Sequence, residues 1–139
     1  MANRLEDVKI NVKIKLSVLW AALMFMYIYT DIVGFYLPGH IENVIAGEIG
    51  GFQITQVFLL GTMIVMTIPS LMVFLSLTLK AKVNRWVNII LGILYTGLAL
   101  FVILPIEDAW AFGIFATIVE VVLLSLIVWH AWKWPTQEG

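Results

Sequence analysis

The chain has 139 residues, of which 62% are hydrophobic and 12% charged. A soluble domain runs at about 45–50% apolar and roughly 25% charged, and a chain this short buries only a modest fraction of its surface. Those figures exclude a water-soluble globule and most disordered classes. The absence of cysteine excludes disulfides and thiol chemistry, and a formal net charge of −1 gives no reason to expect a nucleic-acid partner.

The composition reads as one all-α membrane domain of four transmembrane helices, because a span needs about 20 mostly apolar residues. Before the first span, residues 8–15 alternate apolar and basic or polar side chains. The alternation has a strand period, but an isolated strand leaves its edges unpaired. The segment is therefore read as lying on anionic lipid, with Lys9, Lys13 and Lys15 at the headgroups. It is too polar for a cleavable signal peptide, and the apolar run that follows is a full span.

The four spans are placed at 16–37, 54–79, 86–104 and 110–132. The segment Pro38 to Gly47 suggests a short interfacial helix, with Gly50-Gly51 as a flexible turn into the second span. All eight basic residues lie before the first span, between the second and third, or after the fourth; the loops 38–53 and 105–109 carry only acidic charge. The positive-inside rule then puts both termini in the cytoplasm. The completeness of the bias argues against dual topology; because four short helices leave much lipid-facing surface, a parallel homo-oligomer is expected, multi-pass in an inner (plasma) membrane. Trp86, Trp129, Trp132 and Trp134 fall at the cytoplasmic interface and Trp110 at the outer one, as aromatic belts require.

Ionisable residues inside a span are candidates for function. Glu120 sits about 15 Å from Trp110 at 1.5 Å per residue, near the midplane. Its cost of ~2.5–3.5 kcal/mol is outweighed by about a dozen Phe, Ile, Leu and Val in the same span, each contributing about −0.3 to −0.6 kcal/mol. Glu120 must face protein or water, and is expected to be neutral or hydrogen-bonded at neutral pH. Gly113, Ala116 and Thr117 form a small-residue face beside it, which lets helices approach.

Asp31 lies in the outer third of the first span with Tyr27 one turn before it. Gln56 starts the second span at a similar depth, so Asp31, Tyr27 and Gln56 form a candidate polar cluster. Pro69 frees the carbonyl of Val65 and should kink the second span. The ion, proton or substrate candidates are Glu120, Asp31, Tyr27, Gln56 and Thr117. Arg85, Lys82, Lys13 and Lys15 are candidates for lipid headgroups. Membrane lipids are the expected partners. No cofactor, metal or enzymatic site is expected: His40 and His130 sit at opposite ends, no Lys lies within a span, and no phosphate loop is present.

Particular stretches then carry a family likeness. These are Lys15-Leu16-Ser17 leading to Trp20; Tyr29-Thr30-Asp31 with Gly34; Ile54-Thr55-Gln56 with Phe58-Leu59-Leu60-Gly61; and Ile68-Pro69-Ser70. Asn84-Arg85-Trp86 with Asn88-Ile89-Ile90, and Trp129 with Ala131-Trp132-Lys133-Trp134, complete the set. Over roughly residues 13–135 the chain resembles an uncharacterised bacterial family of four-helix membrane proteins, a domain of unknown function. The resemblance implies a four-span fold and no activity. Members of that family often carry an acidic residue where this chain has Thr67, which weakens a relay between the second and fourth spans. Small multidrug transporters and fluoride channels are also short and four-spanning, but their signature patterns are absent here. Three function classes follow: a transporter or channel using Glu120, a non-catalytic scaffold or accessory subunit, and a lipid- or quinone-binding module.

Overall fold

A computed structural model describes residues 3–136. Four long helices dominate it: α1 (Val12–Gly34), α3 (Gln56–Thr78), α4 (Ala81–Ile103) and α5 (Ala111–Trp132). Each is apolar and long enough to cross a membrane. Between α1 and α3 lie a short helix, α2 (His40–Ile45), and a two-stranded hairpin of β1 (Glu48–Ile49) and β2 (Phe52–Gln53).

Helix α1 begins at Val12, so Lys13 and Lys15 lie on the helix and not before it. Asn11 caps this end, its side-chain oxygen accepting from the Lys13 amide at 2.8 Å. That cap satisfies an orphan amide of the first turn, and Val12 and Leu16 fall four residues apart on one helical face. The strand-like alternation of residues 8–15 is thus overridden from Val12 onward, and residues 3–11 take no regular structure.

The Pro38–Gly47 segment does contain a short helix, as expected. The Gly50-Gly51 turn is more ordered than a flexible link. Glu48 pairs with Gln53 and Ile49 with Phe52, while Gly50 and Gly51 adopt φ of 54° and 83°. A two-residue hairpin turn of this kind needs positive φ at both positions, which glycine supplies without strain. Thr55 then caps α3, accepting from the Phe58 amide at 3.1 Å.

Helix α4 starts at Ala81, five residues earlier than the apolar run suggests, because Lys82 and Arg85 ride on its first turns. This moves Asn84 from a loop onto the helix, one turn before Asn88.

The helices run up, down, up and down. The Lys13 ammonium donates to the Leu79 carbonyl at 2.9 Å, joining the start of α1 to the end of α3. Arg85 Nε donates to the Ala131 carbonyl at 3.2 Å, joining the start of α4 to the end of α5. Helix α5 packs along both α4 and α1, and α1 packs along α3; α3 and α4, although consecutive, touch much less than these three pairs. At Gly92 a Cβ atom would stand 2.6 Å from Val128 Cγ2, so glycine sets the spacing of α4 and α5 there.

The core is lopsided. The buried residues of α1 are Leu16, Ser17, Trp20 and Leu23, and those of α3 are Pro69, Met72 and Ser76. All lie in the half nearer the two termini. On α4 they run from Asn84 to Tyr95, and on α5 from Ala116 to Ala131. Beyond those levels none of the four helices has a buried residue. Outside the core, large side chains such as Phe25, Leu60, Phe74, Phe101 and Phe115 are exposed. An apolar exterior of this kind suits hydrocarbon and not water.

Candidate functional site

Helix α5 presents Ala116, Glu120, Leu124, Ile127 and Ala131 as its buried face, at spacings of three and four residues. Glu120 lies on the tenth residue of this 22-residue helix, close to its middle, and is only 8% exposed. It stands where the core ends, with Ala116 one turn farther out. Above it the small-residue face continues through Thr117, whose hydroxyl donates to the Gly113 carbonyl at 2.9 Å.

The carboxyl group of Glu120 takes part in no hydrogen bond among the described residues. Every fully buried side-chain nitrogen or oxygen among them does have a partner. The Glu120 oxygens therefore keep a sliver of accessible surface. Leaving a polar group in an apolar interior without a hydrogen bond costs on the order of 1–3 kcal/mol. This acid is held inside the bundle without being used to join helices.

The other candidates fall around or away from it. Tyr27, half-buried on α1, is within electrostatic range of Glu120. Asp31, one turn beyond Tyr27, is exposed and within electrostatic range of both Glu120 and His40. Gln56 is exposed at the start of α3. No hydrogen bond among the described residues joins Asp31, Tyr27 and Gln56, so the cluster expected from their depth does not close. Among the described residues no three His, Asp or Glu side chains gather as a metal site.

The basic candidates divide as well. Arg85 is anchored to protein by part of its guanidinium: besides Ala131, its Nη2 donates to the Trp132 carbonyl at 3.3 Å, capping α5. Its guanidinium also lies 5.4 Å and 5.5 Å from the ring centroids of Trp86 and Trp132. Lys13 spans to the end of α3, while Lys15 and Lys82 are exposed.

Below Glu120 lies a polar network that residue depth alone did not reveal. Trp20 Nε1 donates to Asn88 Oδ1 at 2.7 Å, linking α1 to α4. Asn88 Nδ2 donates to Asn84 Oδ1 at 2.7 Å, and Asn84 Nδ2 donates to the Ser76 carbonyl of α3, also at 2.7 Å. The Ser76 hydroxyl completes the ring at 3.4 Å from Asn88 Oδ1. Ser17 donates to the Val73 carbonyl at 2.6 Å, tying α1 to α3. Trp20, Asn84, Asn88 and Ser76 are fully buried. The signal available in the sequence was the pair Asn84 and Asn88, four residues apart in an apolar segment, which a helix stacks on one face. Starting that span at Trp86 hid it.

The same end shows why Pro69 is tolerated. The Tyr95 hydroxyl donates to the Val65 carbonyl, the group that Pro69 leaves without a helical donor. Tyr95 also meets Trp20 edge to face, with ring centroids 6.3 Å apart. Tyr95 thus ties α4 to α3 at this level.

Residues 5–139 match the family of unknown function DUF6326, and the chain belongs to that family. No curated protein and no solved structure matches it. Ser17, Trp20, Pro69, Asn84 and Asn88, which carry the resemblance noted from the sequence, are the residues of the buried network or its neighbours. Glu120 lies outside those stretches.

Proposed function

We propose that this multi-pass membrane protein is a small transporter whose proton- or cation-binding group is Glu120. One observation carries the reading: a midplane carboxyl, 8% exposed, sits in the bundle without a hydrogen-bond partner among the described residues. A carboxyl that served only to fix helix register would be hydrogen-bonded across a helix interface, as Asn88 is. An acid that must take up and release a proton or ion needs a group free to change partners.

The lopsided core supports the same reading. The half nearer the termini is closed by the network of Trp20, Asn88, Asn84 and Ser76. In the other half α1 and α3 have no buried residue, and on α5 only Ala116 is buried beyond Glu120, which stands at the floor of that half with Tyr27 and Asp31 on the way out. The distribution of basic residues puts the closed end in the cytoplasm. The open half then faces outward, so this conformation offers Glu120 to the outer side. We place the chain in a plasma membrane as a parallel homo-oligomer, which native mass spectrometry in mild detergent would count.

The test is flux of protons and small cations in liposomes containing the wild type or Glu120→Gln. Flux that is lost in a folded Glu120→Gln variant supports the assignment. A wild type that carries neither protons nor cations, or a variant that carries them equally well, overturns it and returns the protein to a scaffold or accessory role.

A further inference from the structure

On the outside of the bundle, α4 and α5 enclose a cleft of about 390 Å³. It is lined by Ile93, Thr96, Ser125, Val128, Trp129 and Trp132. The walls are largely exposed, so the cleft opens toward the surrounding membrane. It lies at the end of the bundle that holds the termini, near the last turns of α5.

Both tryptophans of the cleft carry a cation. The Lys133 ammonium lies 5.0 Å from the Trp129 ring centroid, and the Arg85 guanidinium lies 5.5 Å from that of Trp132. Among the described residues no carboxylate lines the cleft. Arg85 is also held in place, since two of its N–H groups already bind the Ala131 and Trp132 carbonyls. A guanidinium has five N–H donors, so others stay free for a phosphate without further ordering of the side chain.

We propose that this cleft binds an acidic phospholipid. One acyl chain lies against Ile93, Val128 and Trp129, and the phosphate sits at the rim between Arg85 and Lys133. An apolar trough ending in two cations at the aromatic belt fits that amphiphile. A neutral phospholipid would fill the trough equally but bring no net negative charge to the rim. A water-soluble anion would leave the trough open to hydrocarbon. The site is independent of Glu120, which lies on the buried face of the same helix.

The experiment is native mass spectrometry of the full chain in detergent, with phosphatidylglycerol or phosphatidylcholine of identical acyl chains. The wild type should retain phosphatidylglycerol in preference. Lys133→Gln should cut that preference about five-fold, the effect of one basic residue at a membrane surface. Ser125→Trp, which fills the trough from its exposed edge, should lower retention of both lipids. Lys9→Gln removes a charge from the same end but outside the cleft, and should change nothing. Equal retention of the two lipids by the wild type would overturn the site. So would equal losses in Lys133→Gln and Lys9→Gln, which would mean that general surface charge holds the lipid, or unchanged retention in Ser125→Trp.

Discussion

The Tyr95 hydroxyl occupies the carbonyl of Val65, four residues before Pro69, and so supplies from α4 the hydrogen bond that proline removes from α3. Two consequences can be measured together. Tyr95→Phe leaves the Val65 carbonyl without a donor and should destabilise the wild type. In a Pro69→Ala background the restored backbone amide at that position can serve Val65, so the same change should cost less. The double-mutant cycle, read by unfolding in mixed micelles, should show coupling of about 0.5–2 kcal/mol. Additive single effects would mean that Tyr95 acts through packing alone.

Asn88 accepts from Trp20 and donates to Asn84, so its removal strands two buried groups at once. Asn88→Ala should cost about 1–3 kcal/mol, above the ~0.6 kcal/mol average of a single membrane hydrogen bond. Trp20→Phe removes one donor and leaves Asn88 its bonds to Asn84 and Ser76, so it should cost less than Asn88→Ala. Thermal unfolding in detergent ranks the two.

Glycine is needed at position 92 and not at position 97. A Cβ on Gly92 would stand 2.6 Å from Val128 Cγ2, whereas one on Gly97 would meet nothing within 4 Å. Gly92→Ala should destabilise by about 1–3 kcal/mol through overpacking, with part of the loss restored by Val128→Ala. Gly97→Ala should be neutral or stabilising by up to ~1 kcal/mol, since alanine is the better helix former. Equal effects at both sites would remove the close α4–α5 approach as the cause.

Glu120→Gln breaks no hydrogen bond among the described residues, so folding should barely register it. Its unfolding free energy should stay within ~0.5 kcal/mol of the wild type, even as flux disappears. A loss as large as that of Asn88→Ala would identify Glu120 as part of the glue of the bundle.

Hydrophobic run length and charge placement were enough to find four helices, because a membrane span is a long, one-signal feature. They misplaced the ends of α1 and α4. There the helix continues through Lys13, Lys15, Lys82 and Arg85, whose long stems reach an interface that a hydropathy reading excludes. The candidate Glu120 was legible from depth alone. Its surroundings were not: Tyr27 and Gln56 share a depth with Asp31, but depth fixes neither rotation about a helix axis nor which helices are neighbours. The network of Trp20, Asn84, Asn88 and Ser76 draws on three helices, and no spacing within one segment encodes a meeting between them. The β1–β2 hairpin was hidden for a smaller reason, since Gly-Gly is as compatible with a loose link as with a tight turn.

The distribution of partners in the buried network also sets an order of assembly during synthesis. Ser17 finds its acceptor, Val73, once α3 has entered the membrane, so the first two long helices can dock by themselves. The indole N–H of Trp20 finds Asn88 only when α4 arrives, and until then it lies beside lipid or loosely solvated carbonyls. A ribosome-bound chain ending shortly after α3 should therefore hold α1 and α3 together but leave Trp20 in a changeable environment. Emergence of α4 would fix it, so that in a chain with Trp86 of α4 replaced by Phe, Trp20 marks optically the moment at which the bundle closes.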